Sequence, residues 1–394
     1  MEASYRRVAI SIFVVSLLLS NSSFAMKLGI SSYFMYLACA SIIIPIYYSF
    51  ARKYDSKYFI SNLILTALLL ILFCLGLSLQ DLVIPQKISL MLSMFVMVTI
   101  CVPADMYFCF PDDLAVVAKS IIIGILLCTI LAVASGASLT TLAAEGVGSS
   151  TGFNGGLQHK NYFSADICIA FICLNILYQF KKDTKNILLQ AIVLILIVAS
   201  NVRAILLLLL LYLFIRSLYY IRAISVAAQG LIIIVLGVTG CLIGVYLFDS
   251  IALSSGSYQY RINGLMNYIN YYRGDWYHLV FGNAEMAFRE TGLGYTGNIR
   301  SVVGWDGTTE LSFLSILVKN GLLGAIGYVI IGVRYLIYSI KENDGFRRNI
   351  YFALCGVGLG SMFVENYMVN MNVAFGPCLY LILSGLIHRT QVKA

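Results

Sequence analysis

ILLQAIVLILIVASNVRAILLLLLLYLFIRSLYYI, residues 187–221, is a run of 35 residues whose only charges are Arg203 and Arg216. As one helix it would extend roughly 50 Å, well beyond the ~30 Å hydrocarbon core of a bilayer. The polar group Ser200, Asn201 and Arg203 divides it into two runs, 187–201 and 202–221, each long enough or nearly so to cross. Two such runs back to back describe a helical hairpin in lipid, because a span must satisfy its backbone hydrogen bonds internally.

The same reading extends along the chain. Residues 8–24, 30–50, 60–79, 84–103, 115–135, 162–180, 226–248, 310–340, 348–364 and 371–388 are also apolar enough to be spans. The composition agrees: 60% of residues are hydrophobic and only 11% are charged, against about 25% charged in soluble domains. Mean hydropathy is +0.89. The expected fold is therefore an all-α polytopic membrane protein of about twelve spans, one integral domain over 1–394. Arg6, Arg7, an apolar run and Ser-Phe-Ala at 23–25 imitate a cleavable signal peptide, but eleven further spans favour an uncleaved first helix.

Lysine and arginine set the expected orientation. With the N-terminus inside, fifteen fall in cytoplasmic loops: Arg6, Arg7, Arg52, Lys53, Lys57, Lys181, Lys182, Lys185, Arg216, Arg222, Lys341, Arg347, Arg348, Arg389 and Lys393. The short exterior loops receive Lys27, Lys87, Lys160 and Arg203, as the positive-inside rule requires. The interior loop 104–114 has no basic residue. The net charge of +8 is then cytoplasmic anchoring, and no basic stripe with interleaved aromatics suggests nucleic acid. No CxxC pair or His/Cys cluster indicates a metal, and His159, His278 and His388 are scattered.

Two larger loops fall outside, 136–161 and 249–309. The second carries Arg261, Arg273, Arg289 and Arg300, since long loops are exported largely regardless of charge. Residues 258–272 crowd tyrosines and asparagines around Arg261. These aromatics suit either an interfacial belt or a groove that stacks on sugar faces, with Trp305 and Asp306 further along the same loop. Arg203, beside a leucine run, either snorkels to the surface or holds an anion. With Arg261 it could clamp a diphosphate, since the guanidinium fork bonds two oxygens at once. Glu310 stands where the chain enters a span. It is either a first-turn acid favoured by the helix dipole and capped by Asp306 or Thr308, or a general base for a sugar hydroxyl. Glu365 is the competing carboxylate. His159 and Asn161, at the entry to the sixth span, fit a positioning role.

Three stretches carry a family resemblance. GLQHKNYFSA is similar to a glycine-rich loop followed by an Asn at a helix start, and SNVRAILLLLL to a Ser-x-x-Arg opening of a leucine-rich span. TELSFLSILVKNGLLGAIGY is similar to the segment after a large periplasmic loop, with a polar residue eleven before the glycine of a Gly-Leu-Leu-Gly turn. With GDWYHLVFGNAEMAF and TGNIRSVVGWDGTTE, they make the chain resemble the O-antigen ligase and Wzy-type polymerase superfamily over about 150–325. Ligases typically have His at the position of Glu310, which favours a polymerase.

The resemblance implies a periplasmic, inner-membrane glycosyltransferase of inverting, metal-independent type with no cofactor. Its donor and acceptor would be undecaprenyl-diphosphate-linked oligosaccharides, and a co-polymerase would set chain length. Arg203, Arg261 and Glu310 would be catalytic, while His159, Asn161, Arg273, Arg300, Trp305, Asp306 and Glu365 would bind substrate. A ligase acting on lipid A core, a rod-shape peptidoglycan polymerase and a lipid-linked sugar flippase are the alternatives. The flippase expects internal repeats and interrupted helices.

Overall fold

The computed structural model describes residues 2–51, 57–143, 150–221, 256–287 and 311–392. The expected span 226–248 lies outside them, as do Arg300, Trp305, Asp306 and Glu310. The described chain is mostly helical. Helices α1 (Glu2–Ser20), α3 (Ser31–Ala51), α4 (Lys57–Leu79), α5 (Ile84–Cys101), α6 (Leu114–Ala134), α7 (Lys160–Phe180), α8 (Thr184–Ala199) and α9 (Arg203–Ile221) follow the first eight apolar runs, with α2 (Ser23–Lys27) a single short turn of helix. After the loop come α10 (Gly256–Tyr271), α11 (Trp276–Phe281), α12 (Ser312–Lys341), α13 (Gly345–Val364) and α14 (Phe375–Val392). Eight helices among the described residues are long and apolar enough to cross a membrane.

The break in the opening stretch is a tight turn. Asn201 takes a left-handed φ of 54°, which Asn tolerates better than most side chains. The Ser200 hydroxyl donates to Ile197 O at 2.6 Å. The chain thus reverses between α8 and α9 without a loop. α9 then runs antiparallel to α13: Leu208 and Leu211 lie beside Gly360, Ile215 beside Gly356, and Arg216 Nη1 donates to Asn349 Oδ1 at 2.6 Å. Arg203 is therefore at the end of the bundle where α13 terminates in Glu365.

The opposite end is marked by Arg6. Its Nε donates to Asp113 Oδ2 at 2.8 Å, and the amide of Cys109 donates to the same oxygen at 2.8 Å. The 104–114 loop, which has no base of its own, thus sits with the basic N-terminal turn because its acids are the partners. Asp105, in a 3-10 turn (Pro103–Met106), is likewise paired with Arg334 of α12. Arg334 Nη1 also donates to Cys101 O at 2.6 Å and Nη2 to Asn62 Oδ1 at 3.2 Å. All of these residues except Arg6 and the half-buried Cys109 are buried in the helix packing.

Two departures from the sequence reading matter. The first is a small antiparallel hairpin in the 136–161 loop, β1 (Thr140–Ala143) with β2 (Ser150–Phe153), Thr140 opposite Phe153. Its Thr- and Ser-rich strands suit a pleated surface better than a helix. The Asn154 side chain ties it, donating to Thr141 Oγ1 at 2.8 Å. The second is that the apolar stretch expected as one span at 310–340 is two helices. Gly321 has φ 62° and ψ −159°, outside helical values. Thirty residues of helix would reach about 45 Å, too long for the hydrocarbon core; the 20 residues after Gly321 suffice.

The segment before the break, 312–320, is fixed at both ends. Ser312 Oγ donates to Glu365 O at 2.6 Å. Gln80, just past the end of α4, donates from Nε2 to Lys319 O at 2.8 Å and to Phe281 O at 2.6 Å, while its Oε1 accepts from Ala284 N at 2.7 Å. The ends of α4 and α13 are thereby bridged by a short rod lying across the bundle. A Cβ on Gly321 would come within 2.3 Å of Val280 O and 2.6 Å of Gly282 N, so only glycine fits where these backbones touch.

Candidate functional site at the Glu365 end

Glu365 caps α13 in an extended conformation, its amide donating to Ser361 O at 2.9 Å. Its carboxylate turns into the protein. Arg261 Nη2, from α10, donates to Glu365 Oε1 at 2.6 Å, and Arg261 Nη1 donates to Val364 O at 2.8 Å. Asn161 Nδ2, from the first turn of α7, donates to the same Oε1 at 3.1 Å. The side chains of Arg261 and Glu365 are only 11% and 6% exposed, so the charges meet in a largely desolvated place where pairing is nearly obligatory. Ser312 Oγ holds the carbonyl of Glu365, and Tyr367 Oη donates to Asn161 O at 3.4 Å.

His159 is the N-cap of α7. Its Nδ1 accepts from Asn161 N at 3.2 Å, which in the neutral ring leaves the proton on Nε2. The histidine thus positions Asn161, and through it Glu365. Arg203 begins α9 at the same end and is exposed. Lys160 is its charged neighbour, close enough for the two to interact. The aliphatic stem of Lys160 passes Gly152 of β2, where an added Cβ would meet Lys160 Cδ at 2.9 Å and Ser200 O at 1.9 Å. The hairpin therefore fixes Lys160 beside the α8–α9 turn.

Four expected site residues, His159, Asn161, Arg261 and Glu365, are in one bonded group, and Arg203 shares their end of the bundle. Arg273 is not brought to them. It follows the far end of α10, and Arg261 to Tyr271 alone is roughly 15 Å of helix. The tyrosine-rich stretch is also less available for sugar stacking than its composition suggests. Tyr268 and Tyr272 are buried against Leu311, Leu314 and Val318, Tyr268 Oη donating to Leu317 O at 3.3 Å. Burial pushes the Tyr272 phenol up, offset in part by the hydrogen bond from Asn283. Glu310, Arg300, Trp305 and Asp306 lie outside the described residues. Helix α12 begins at Ser312 with Leu311 as N-cap; the expected caps Asp306 and Thr308 lie outside the described residues.

Sequence reasoning missed Ser312, Lys160 and Gln80. Ser312 was legible only as a polar residue two after Glu310. Gln80 was one polar residue at a span end. It also missed the Asp275–His278 pair, where Nδ1 lies 2.5 Å from Oδ2 and the Asp275 carboxylate caps α11. The hydrogen bond from His278, on a carboxylate open to solvent, lowers the Asp275 pKa. Among the described residues no three His, Cys, Asp or Glu side chains gather as metal ligands. No family model matches the chain, and no curated protein matches it.

Proposed function

We propose that this chain is a Wzy-type polysaccharide polymerase that joins undecaprenyl-diphosphate-linked repeat units into O-antigen, capsule or exopolysaccharide. In this reading it has twelve spans, cytoplasmic termini and a periplasmic site at the Glu365 end, in the bacterial inner membrane. The observation that carries it is the convergence of Arg261, Asn161, His159 and Glu365, from three separated segments, against the helix that follows Glu310. Arg203 joins them from the start of α9.

The chemistry is an inverting displacement. A hydroxyl oxygen of the acceptor's terminal sugar attacks the anomeric carbon of the donor glycan, and the bond to the diphosphate breaks. The electron pair leaves with undecaprenyl diphosphate, whose charge Arg203 and Arg261 offset. Glu310 takes the hydroxyl proton. Glu365 is the weaker choice of base, since its Oε1 already accepts from Arg261 and Asn161. A diphosphate arriving at Arg261 would share that guanidinium with Glu365, so the acid holds the clamp in shape before substrate binds. A chain-length co-polymerase is the expected partner.

The test is genetic and chemical. Loss of the chain should leave single-repeat bands on lipopolysaccharide gels, whereas unmodified core with accumulated lipid-linked polymer would point to a ligase. Full-length polymer from Glu310→Gln would remove the base assignment.

A second reading, a flippase for lipid-linked sugars, draws on the break at Gly321 and on the buried Arg334–Asp105 pair, both of which transporters use. Failure of repeat units to reach the outer leaflet in the deletion strain would favour it.

A further inference from the structure

Helix α10 has three faces, each at helical spacing. Arg261, Leu265, Tyr268 and Tyr272 face the protein, where the apolar members pack on the 312–320 segment and Arg261 pairs with Glu365. One residue on, Ile262, Met266 and Ile269 form an exposed apolar stripe, extended by the exposed Arg273. One residue further, Asn263, Asn267 and Asn270 form a polar edge, with Asn263 and Asn270 exposed. Residues i, i+4 and i+7 share a face, so a stripe of aliphatic side chains lies beside a stripe of asparagines.

The apolar stripe does not end with the helix. Trp276, 70% exposed, and Tyr277 follow in α11, and Tyr277 Oη donates to Leu79 O at 2.5 Å. Leu79 is the last residue of the spanning helix α4, and Val83 and Ile84, at the start of α5, are also exposed apolar side chains. Through Tyr277 the apolar side chains of α11 reach the end of α4, a helix long and apolar enough to cross a membrane. Residues 256–271 contain no acid; the flanking charges are the exposed Arg273 and the Asp275 carboxylate, which pairs with His278.

We infer that α10 lies in the membrane–water interface and docks on the lipid surface. Ile262, Met266, Ile269 and Trp276 enter the boundary between headgroups and acyl chains. The asparagine edge faces water, and Arg273 extends to lipid phosphates. An interfacial helix needs this arrangement of an apolar stripe, a polar face and a cation at its margin. Its consequence is geometric: the helix that carries Arg261 is held at the depth of the lipid headgroups, where the diphosphate of any lipid-linked substrate also lies. The lipid contact itself does not depend on the proposed reaction.

Tryptophan quenching tests this in the full chain reconstituted in phosphatidylcholine–phosphatidylglycerol nanodiscs. In Trp305→Phe, Trp276 is the sole indole, and lipids brominated near the top of the acyl chain should quench it strongly while acrylamide does so weakly. In the background Trp276→Phe with Trp305→Phe, Met266→Trp and Asn267→Trp probe neighbouring faces. Bromolipid quenching at 266 should exceed that at 267 by roughly twofold or more, with acrylamide in the reverse order. Equal bromolipid quenching at the two positions, or acrylamide access to Trp276 as free as in the denatured chain, overturns the inference. Protection of 266 from both quenchers also overturns it, since residues 288–310 or a second copy would then cover the stripe.

Discussion

The two ends of the bundle each bury an arginine–carboxylate pair, and the pairs differ in their surroundings. At the Arg6 end, Arg334 is enclosed by Asp105, Asn62 and the carbonyl of Cys101, all within packed helices. That pair ties α12 to α4, α5 and the 3-10 turn. At the Glu365 end, the partners come from a helix cap, a loop helix and the first turn of α7. A short rod lies across them, and the exposed Arg203 stands nearby. A staple and the proposed binding site thus contain the same chemistry and differ in what surrounds it. The first is closed on all sides, whereas the second is assembled from segments that could admit a ligand.

The largest effects should come from breaking the staple. Removing one member strands a buried charge at about 3–5 kcal/mol. Arg334→Leu should therefore reduce folded protein sharply in detergent melts, with Arg334→Leu/Asp105→Leu recovering much of it. Next, Arg261→Ala should cost folding less, since Glu365 lies nearer solvent, but lower polymerisation about 10²-fold or more per folded molecule. A loss of polymer no greater than the loss of folded chain would make the outer pair another staple. Third, Gly321→Ala should destabilise by about 2 kcal/mol, because its φ is positive and Val280 O occupies the Cβ position. A neutral effect in chemical denaturation would mean the rod is not locked at its break.

The smallest effect concerns the Asp275–His278 pair. Because the folded pKa of Asp275 is depressed, its contribution is fully present above the unfolded value of about 3.9 and is lost as pH falls through the folded value. The carboxylate's contribution should thus be lost only in acid, a fall in stability that Asp275→Asn should blunt. An unchanged acid limb would show that the pair carries no stability.

The spans were legible because hydrocarbon demands long apolar runs, and α1 to α9 follow the sequence pattern closely. The break at Gly321 was harder. Its Gly-Leu-Leu-Gly motif is apolar throughout, so hydropathy runs across it, and only the contacts of Gln80, Val280 and Gly282 explain it. The site was half legible. A charge at a span end is conspicuous, which singled out Arg203, Glu310 and Glu365, and Arg261 stood out as an arginine amid loop tyrosines. Their pairing was not, since Asn161 and Glu365 are 204 positions apart and Arg261 and Glu365 are 104 apart, and nothing local encodes such a meeting. Likewise the tyrosines of α10 looked like one aromatic patch, although helical geometry turns Tyr268 and Tyr272 inward.

Binding of a polyprenyl-diphosphate glycan to the purified chain, measured for an arginine at each end, bears most directly on the difference between them. Arg203→Ala and Arg261→Ala should each weaken binding by roughly 10- to 100-fold, the scale of charge-assisted phosphate contacts, while Arg348→Ala at the Arg6 end should leave it unchanged. Undiminished binding in both Glu365-end variants, or an equal loss at Arg348, would contradict the assignment of the site.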